Sequence, residues 1–310
     1  QLAAEVRDAF DAQYVTPAGR VLSDAETAYA LALEFGLLSD AEQRRHAGER
    51  LVALVRESGY HISTGFVGTP LICDALCSVG EVDAAFHLLT QRECPSWLYP
   101  VTMGATTIWE RWDSLRPDGS VNPGQMTSFN HYALGAIADW LHRTVGGLSP
   151  AAPGYRHLAV RPRPGGGLTY ARARHITPYG LAECAWTIEA EQIEVVVVVP
   201  PNATASVTLP GGNEPPIEVG AGTHRWSYPY HVKRAHHPRS LDSKISEFLD
   251  DPQAWTTVLN TMRRYIPDLA RVEVGLRGSS DIPLRQVVSM LPHADELSTA
   301  IEAELAALGR

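Results

Sequence analysis

At Gly146 the chain changes its hydrophobic period, and that change limits what it can fold into. Before it, apolar residues recur at helical spacing; after it, they alternate in short runs bounded by Gly and Pro. The spacing predicts helices over residues 2–14, with Leu2, Val6 and Phe10 on one face, and over 25–38, 41–58, 70–78, 81–91 and 128–145. Ser23 with Glu26, and Ser39 with Glu42, read as capping boxes ahead of the second and third helices. Gly36, Gly59 and Gly80 stand where left-handed C-caps belong. Short turns between helices of similar length imply antiparallel pairs.

Beyond a linker, GGLSPAAPGY, strand character appears at 157–160, 168–176, 180–189, 192–199, 205–209 and 222–228. Turn signals such as Pro-Gly-Gly-Gly and Pro-Pro-Asn separate these runs, the grammar of an antiparallel sandwich. The valines that end the run 192–199 read as a strand buried on both faces. From about Ser240 helical spacing returns, over 241–249, 252–266, 284–290 and 294–308. The expected domains are therefore 1–147, 148–231 and 240–310. For the last, a docking or dimerising cap stands beside the favoured alternative, a solvated bundle without catalytic role.

Charge narrows the partners. The net charge is −9, and residues 1–150 carry 10 Arg and no Lys against 18 Asp plus Glu, a local balance of −8. An acidic helical domain without a basic face excludes nucleic acid as the expected partner. No apolar run approaches the roughly 18 residues that cross a bilayer, so no membrane partner is expected. Four cysteines are too few for a disulfide scaffold of this size; Cys73 and Cys77 read as buried apolar fillers on one helix, and no metal is expected. His231, His236 and His237 read as solvated loop histidines. The expected compartment is the cytoplasm. A secreted location stays open, because the chain starts at Gln1 in mid-helix and reads as cut from something longer.

Chemistry concentrates in two blocks. PSWLYPVTMGATTIWERWDSL, 95–115, sets Glu110 between Trp109 and Trp112, and MTSFNHYALGAIADWLHR, 126–143, brings His131 at the head of an apolar helix. Indole faces stack on the C–H groups of a sugar ring, and a carboxylate between them can orient or deprotonate a water. The plain alternative makes both indoles core and Glu110 a cap. In extended backbone the two indoles point to opposite faces, so one of them belongs to the core. Arg111 is a candidate partner for a nearby carboxylate, and Thr64-Gly65-Phe66 a second candidate loop for the pocket floor. Ser128 and Asn130 are N-cap candidates.

From 1 to about 230 the chain resembles the later part of a glycoside hydrolase family 78 α-L-rhamnosidase. The blocks that carry this are SDAETAYALALEFGLL, HISTGFVGTPLI, the Trp/Glu block and MTSFNHYALGAIADWLHR, with weaker support from PGYRHLAVRPRPGGGLTYARA. The resemblance implies a partial (α/α)6 toroid, its second half only, followed by an antiparallel β-sandwich and a small helical C-terminal module. It also implies inverting hydrolysis of terminal α-L-rhamnosides, without cofactor or metal. Glu110 matches the general base, His131 a sugar-pocket residue; Trp97, Trp109, Trp112 and Asn130 are the other substrate-binding candidates. The family's general acid lies in an acidic motif ahead of a Gly-Trp pair, and no Gly-Trp pair occurs in this sequence.

The implied partner is a rhamnose-containing glycoside or oligosaccharide, with the first half of the toroid or a second copy completing the site. A non-catalytic sugar-binding or structural fragment is the competing expectation. A different (α/α)6 enzyme, such as a lyase, would want a Tyr/His/Arg set in place of the Trp-Glu-Arg-Trp block.

Overall fold

A computed structural model describes residues 1–212, 214–231 and 239–308. The chain gathers into two compact units. One takes residues 1–105, 115–122 and the described tail 239–308; the other takes 106–114 and the described residues from 123 to 231. His236 and His237 lie outside the described residues.

The first unit begins with α1 (Leu2–Tyr14), α2 (Glu26–Glu34), α3 (Ala41–Glu57), α4 (Ile72–Ser78), α5 (Val82–Thr90) and a single turn, α6 (Leu98–Thr102). Helix α2 packs on α3 and α4, and α4 on α5, around Tyr29, Leu33, Leu51, Ile72, Leu76 and Phe86. Gly36, Gly59 and Gly80 all take positive φ at helix ends. No residue of α1 is buried, and its apolar Leu2 and Val6 face outward.

The caps differ from expectation. Asp40, not Ser39, caps α3, its carboxylate accepting from Gln43 N at 2.7 Å. No side chain caps α2, whose N-cap residue is Ala25. The reason is Glu26, which turns inward instead of reaching back to Ser23: it is only 4% exposed. Ser58 and Ser63 hydrogen-bond it, yet desolvation outweighs them and pushes its pKa above the usual carboxylate value.

The tail adds α8 (Ile245–Leu249), α9 (Pro252–Arg263), α10 (Leu269–Arg277), α11 (Leu284–Val288) and α12 (Ala294–Leu308). They close on their own core, with Phe248, Val258, Met262, Leu276 and Ile301 at its centre. Asp251 caps α9 by accepting from Ala254 N at 3.0 Å, with Pro252 at the first helical position. Helix α10 was not expected, because Val272, Val274 and Gly275 all lower helical propensity. Packing on the tail core overrides them.

In the second unit the helix expected over 128–145 starts late. It runs as a 3-10 turn (Ala133–Ala136), one α-turn, α7 (Ile137–Trp140), and a wide π-type turn (Leu141–Val145). Its first residues are drawn into pairing with 107–110 instead.

Eight strands follow: β1 (Leu148–Pro150), β2 (His157–Val160), β3 (Tyr170–Thr177), β4 (Gly180–Glu189), β5 (Gln192–Val199), β6 (Thr204–Val207), β7 (Ile217–Val219) and β8 (Gly222–Pro229). They form two four-stranded sheets, β1-β2-β6-β7 and β3-β4-β5-β8. The second is antiparallel throughout; in the first, β2 and β6 pair in parallel, a departure from the all-antiparallel expectation. Each sheet has a buried row, Leu158, Val160, Ala205 and Val207 in one and Trp186, Ile193, Val195 and Val197 in the other. That is the pattern of a sandwich.

Strand β5 is not buried on both faces. Ile193, Val195, Val197 and Val199 point inward, while Glu194, Val196 and Val198 alternate on a partly exposed face. Uninterrupted valine satisfies β-propensity on both faces, and so hides the period.

Nor is GGLSPAAPGY a free linker. Leu148 is wholly buried in β1, and Arg161 N donates to Gly147 O at 2.8 Å. Gly147 has φ +77°, and a Cβ there would sit 2.3 Å from Pro162 N, so glycine is required. The Trp186 indole N–H donates to Val145 O at 2.7 Å, tying the helical run to the sheet.

Glu26 supplies a test of this packing. A carboxyl with a raised native pKa contributes stability that is full below its unfolded pKa and is lost as pH rises through the native value. Glu26→Gln is expected to match the parent at low pH and to exceed it by about 1 kcal/mol at neutral pH. Thermal melts across the acid range check this; a variant less stable than the parent at neutral pH would refute it.

Candidate active site

The site is built on main-chain pairing of two irregular segments. His131 N donates to Ile108 O at 2.8 Å and Glu110 N donates to Ser128 O at 2.9 Å, so 108–110 and 128–131 run antiparallel. The Thr107 hydroxyl donates to Phe129 O. Trp109 lies edge-on to Phe129, centroids 5.3 Å apart at 86°.

The pairing brings Glu110 and His131 together. Glu110 Oε2 accepts from Ser128 N at 3.2 Å, which fixes the carboxylate; Oε1 lies 4.0 Å from His131 Nε2. The Glu110 side chain is 18% exposed and that of His131 30%. His131 Nδ1 accepts from Ala133 N at 3.4 Å. A neutral ring therefore carries its proton on Nε2, the nitrogen that faces the carboxylate. One carboxylate oxygen anchored by a peptide N–H, with an imidazole nitrogen 4.0 Å from the other, can hold and deprotonate a water or bind adjacent hydroxyls.

Other candidates sort by position. Trp109 is 4% exposed, so its indole packs against Phe129 and offers no open face for a sugar. Of the two indoles this is the one placed in the core, and its burial holds the backbone that carries Glu110. Trp112 is only partly buried. Asn130 is exposed, and its N–H donates to Ser128 Oγ at 3.2 Å. Ser128 and Asn130 form a local turn rather than a helix cap, because helix begins only at Ala133. Trp97 belongs to the first unit and is buried there.

Arg111 pairs with Asp113, Nε to Oδ1 at 2.6 Å and Nη2 to Oδ2 at 3.3 Å, and Nη1 donates to Gln125 O at 3.3 Å. Its carboxylate partner is therefore Asp113. The Thr64–Phe66 loop is tied by its own hydroxyls, Thr69 Oγ1 lying 2.9 Å from Thr64 Oγ1 and donating to Gly65 O at 2.8 Å.

Sequence reasoning passed over Tyr132. It is 89% exposed and stacks on His131, centroids 5.7 Å apart and planes 4° from parallel. Its signal was there, an aromatic directly after the histidine, but nothing in the sequence showed which way it faced. Among the described residues no group of three or more His, Cys, Asp or Glu side chains could hold a metal ion. Nor is any described helix long and apolar enough to cross a membrane.

Residues 1–145 match the bacterial α-L-rhamnosidase six-hairpin glycosidase domain, and 147–224 the bacterial α-L-rhamnosidase C-terminal domain. The chain belongs to the bacterial α-L-rhamnosidase family. It is 40% identical over 243 residues to an α-L-rhamnosidase of Streptomyces avermitilis, a match covering 73% of this chain and 24% of that protein. One from Formosa agariphila is 42% identical over 194 residues, 63% of this chain and 21% of that one. Among solved structures, native α-L-rhamnosidase from Aspergillus terreus superposes with a TM-score of 0.70 at 44% identity, covering 72% of this chain and 26% of that one. The S. avermitilis α-L-rhamnosidase complexed with L-rhamnose gives 0.68 at 39%, covering 73% and 23%. The chain thus spans about a quarter of the length of the relatives it matches.

The division between packed and open indoles is testable. Trp109→Ala is expected to cost about 3 kcal/mol or more, as large core truncations do, and Trp112→Ala less than half of that. Urea denaturation checks both, and equal losses would contradict the assignment.

Proposed function

We propose that this chain carries the water-activating side of an α-L-rhamnosidase active site that hydrolyses terminal α-L-rhamnosides with inversion. Glu110 is the general base. Its Oε1 takes the proton of a water as that water attacks the anomeric carbon from the face opposite the leaving oxygen. Ser128 N–H holds Oε2, so the base is already oriented when substrate arrives. The carrying observation is this anchored carboxylate with His131 Nε2 at 4.0 Å.

His131 donates from Nε2 to a rhamnose hydroxyl, and Asn130 offers further hydrogen bonds. Trp112 and Tyr132 supply aromatic faces to the ring. The complex of the S. avermitilis relative with L-rhamnose supports the choice of sugar.

An inverting site needs a second carboxyl, roughly 6.5–9.5 Å from the base, to protonate the leaving oxygen. We assign that acid to residues beyond these 310, on the absence of the Gly-Trp-linked acidic motif from this sequence. The quarter-length coverage of the relatives agrees with that assignment and equally favours a sugar-binding piece without turnover of its own.

The test is hydrolysis of p-nitrophenyl α-L-rhamnoside by this chain and by any longer protein that contains it. Glu110→Gln is expected to lower kcat in the longer protein by about 10²–10⁴-fold, the usual worth of a general base. His131→Ala is expected to raise KM more than it lowers kcat. Turnover by these 310 residues alone would place the acid within them. Binding of L-rhamnose without turnover in either protein would leave the sugar-binding reading.

A further inference from the structure

The tail lies beyond both family matches, which end at residue 224, yet it is fastened to one corner of the first unit. That corner is strained. After α3 the chain turns through Gly59, φ +68°, and Tyr60, φ +59°. For a bulky side chain the left-handed region is unfavourable, and it persists only where the surroundings hold it.

Asp250, directly after α8, supplies the hold. Its Oδ1 accepts from Arg56 Nε and its Oδ2 from Arg56 Nη2, both at 2.8 Å, and the Tyr60 hydroxyl donates to Oδ1. A bidentate guanidinium–carboxylate pair sets geometry as well as energy. On α5, His87 packs against the Tyr60 ring, centroids 4.8 Å apart. From α10, Arg277 covers Gly59 so closely that a Cβ there would meet its Nη1 at 2.1 Å. Arg277 is itself held by Glu273 at 2.6 Å and lies over the Trp255 ring at 5.3 Å.

From this corner springs the loop 61–69. Ile62 N donates to Pro95 O at 2.9 Å, and Thr69 N to Gly65 O at 2.9 Å. Pro95 stands two residues ahead of Trp97.

We infer that the tail is a positioning element: through Asp250 on Arg56 and Tyr60 it orders the loop 61–69 and, through the Ile62–Pro95 bond, the segment that carries Trp97. Asp250 acts through other residues and touches no substrate.

Amide hydrogen exchange on the full chain tests the ordering. In Asp250→Asn, protection at Ile62 and Thr69 is expected to fall by about tenfold or more, since local opening governs exchange there. Asp242→Asn, which breaks only the exposed pair with Arg285, leaves both amides unchanged. Tyr60→Phe leaves the tail core intact, and must loosen the same loop even if Asp250→Asn detaches the tail entirely. Loss of protection confined to 245–277, with 61–69 unchanged in both variants, would overturn the inference.

Discussion

The candidate site depends on main-chain pairing between 108–110 and 128–131. Two backbone bonds hold the segments in antiparallel register, and a third, to the Glu110 carboxylate itself, converts that register into an oriented acid. Side chains reinforce it from behind, where Trp109 meets Phe129 edge-on. A peptide N–H that fixes one oxygen of the Glu110 carboxylate favours a single orientation, the preorganisation that the proposed general base would need. The same pairing explains why helix starts only at Ala133, since Ser128 to His131 commit their backbone elsewhere.

Fixed junctions recur wherever the chain changes its kind of structure. Where helix gives way to sheet, the Trp186 indole closes on Val145 O and Gly147 lets Pro162 approach. At the corner after α3, Asp250 and Arg277 converge on Gly59 and Tyr60. In each case a glycine admits the neighbour and a buried or bidentate hydrogen bond sets the angle. Glu26 shows the opposite economy: a carboxyl buried for packing, with a raised pKa as the cost.

Much of the architecture was legible. The periods located α1, α3, α5 and α12 to within a residue or two, and β2, β4 and β5 at their ends. The long Trp/Glu and Ser-Phe-Asn-His blocks picked out Glu110 and His131, which the structure places 4.0 Å apart. What failed did so for local reasons. Capping boxes at Ser23 and Ser39 lost to the inward turn of Glu26 and to Asp40, a better-placed acceptor one residue on. Strand β1 and helix α10 were invisible because Gly, Pro and β-branched residues argue locally against them, whereas burial of Leu148 and Leu276 argues for them globally.

By itself the sequence determined the succession of helices, sheets and helices, the acidic surface of the first 150 residues and the identity of the residues in the two motif blocks. Hydrophobic period and composition are properties of the chain alone, so they survive without a fold. Tertiary structure alone decided which indole packs and which opens, that Arg111 pairs with Asp113, that Tyr132 stands over His131, and that a tail outside the family matches grips the corner at Tyr60. These depend on which distant segments share space, and spacing along a chain carries no record of that until the backbone is folded.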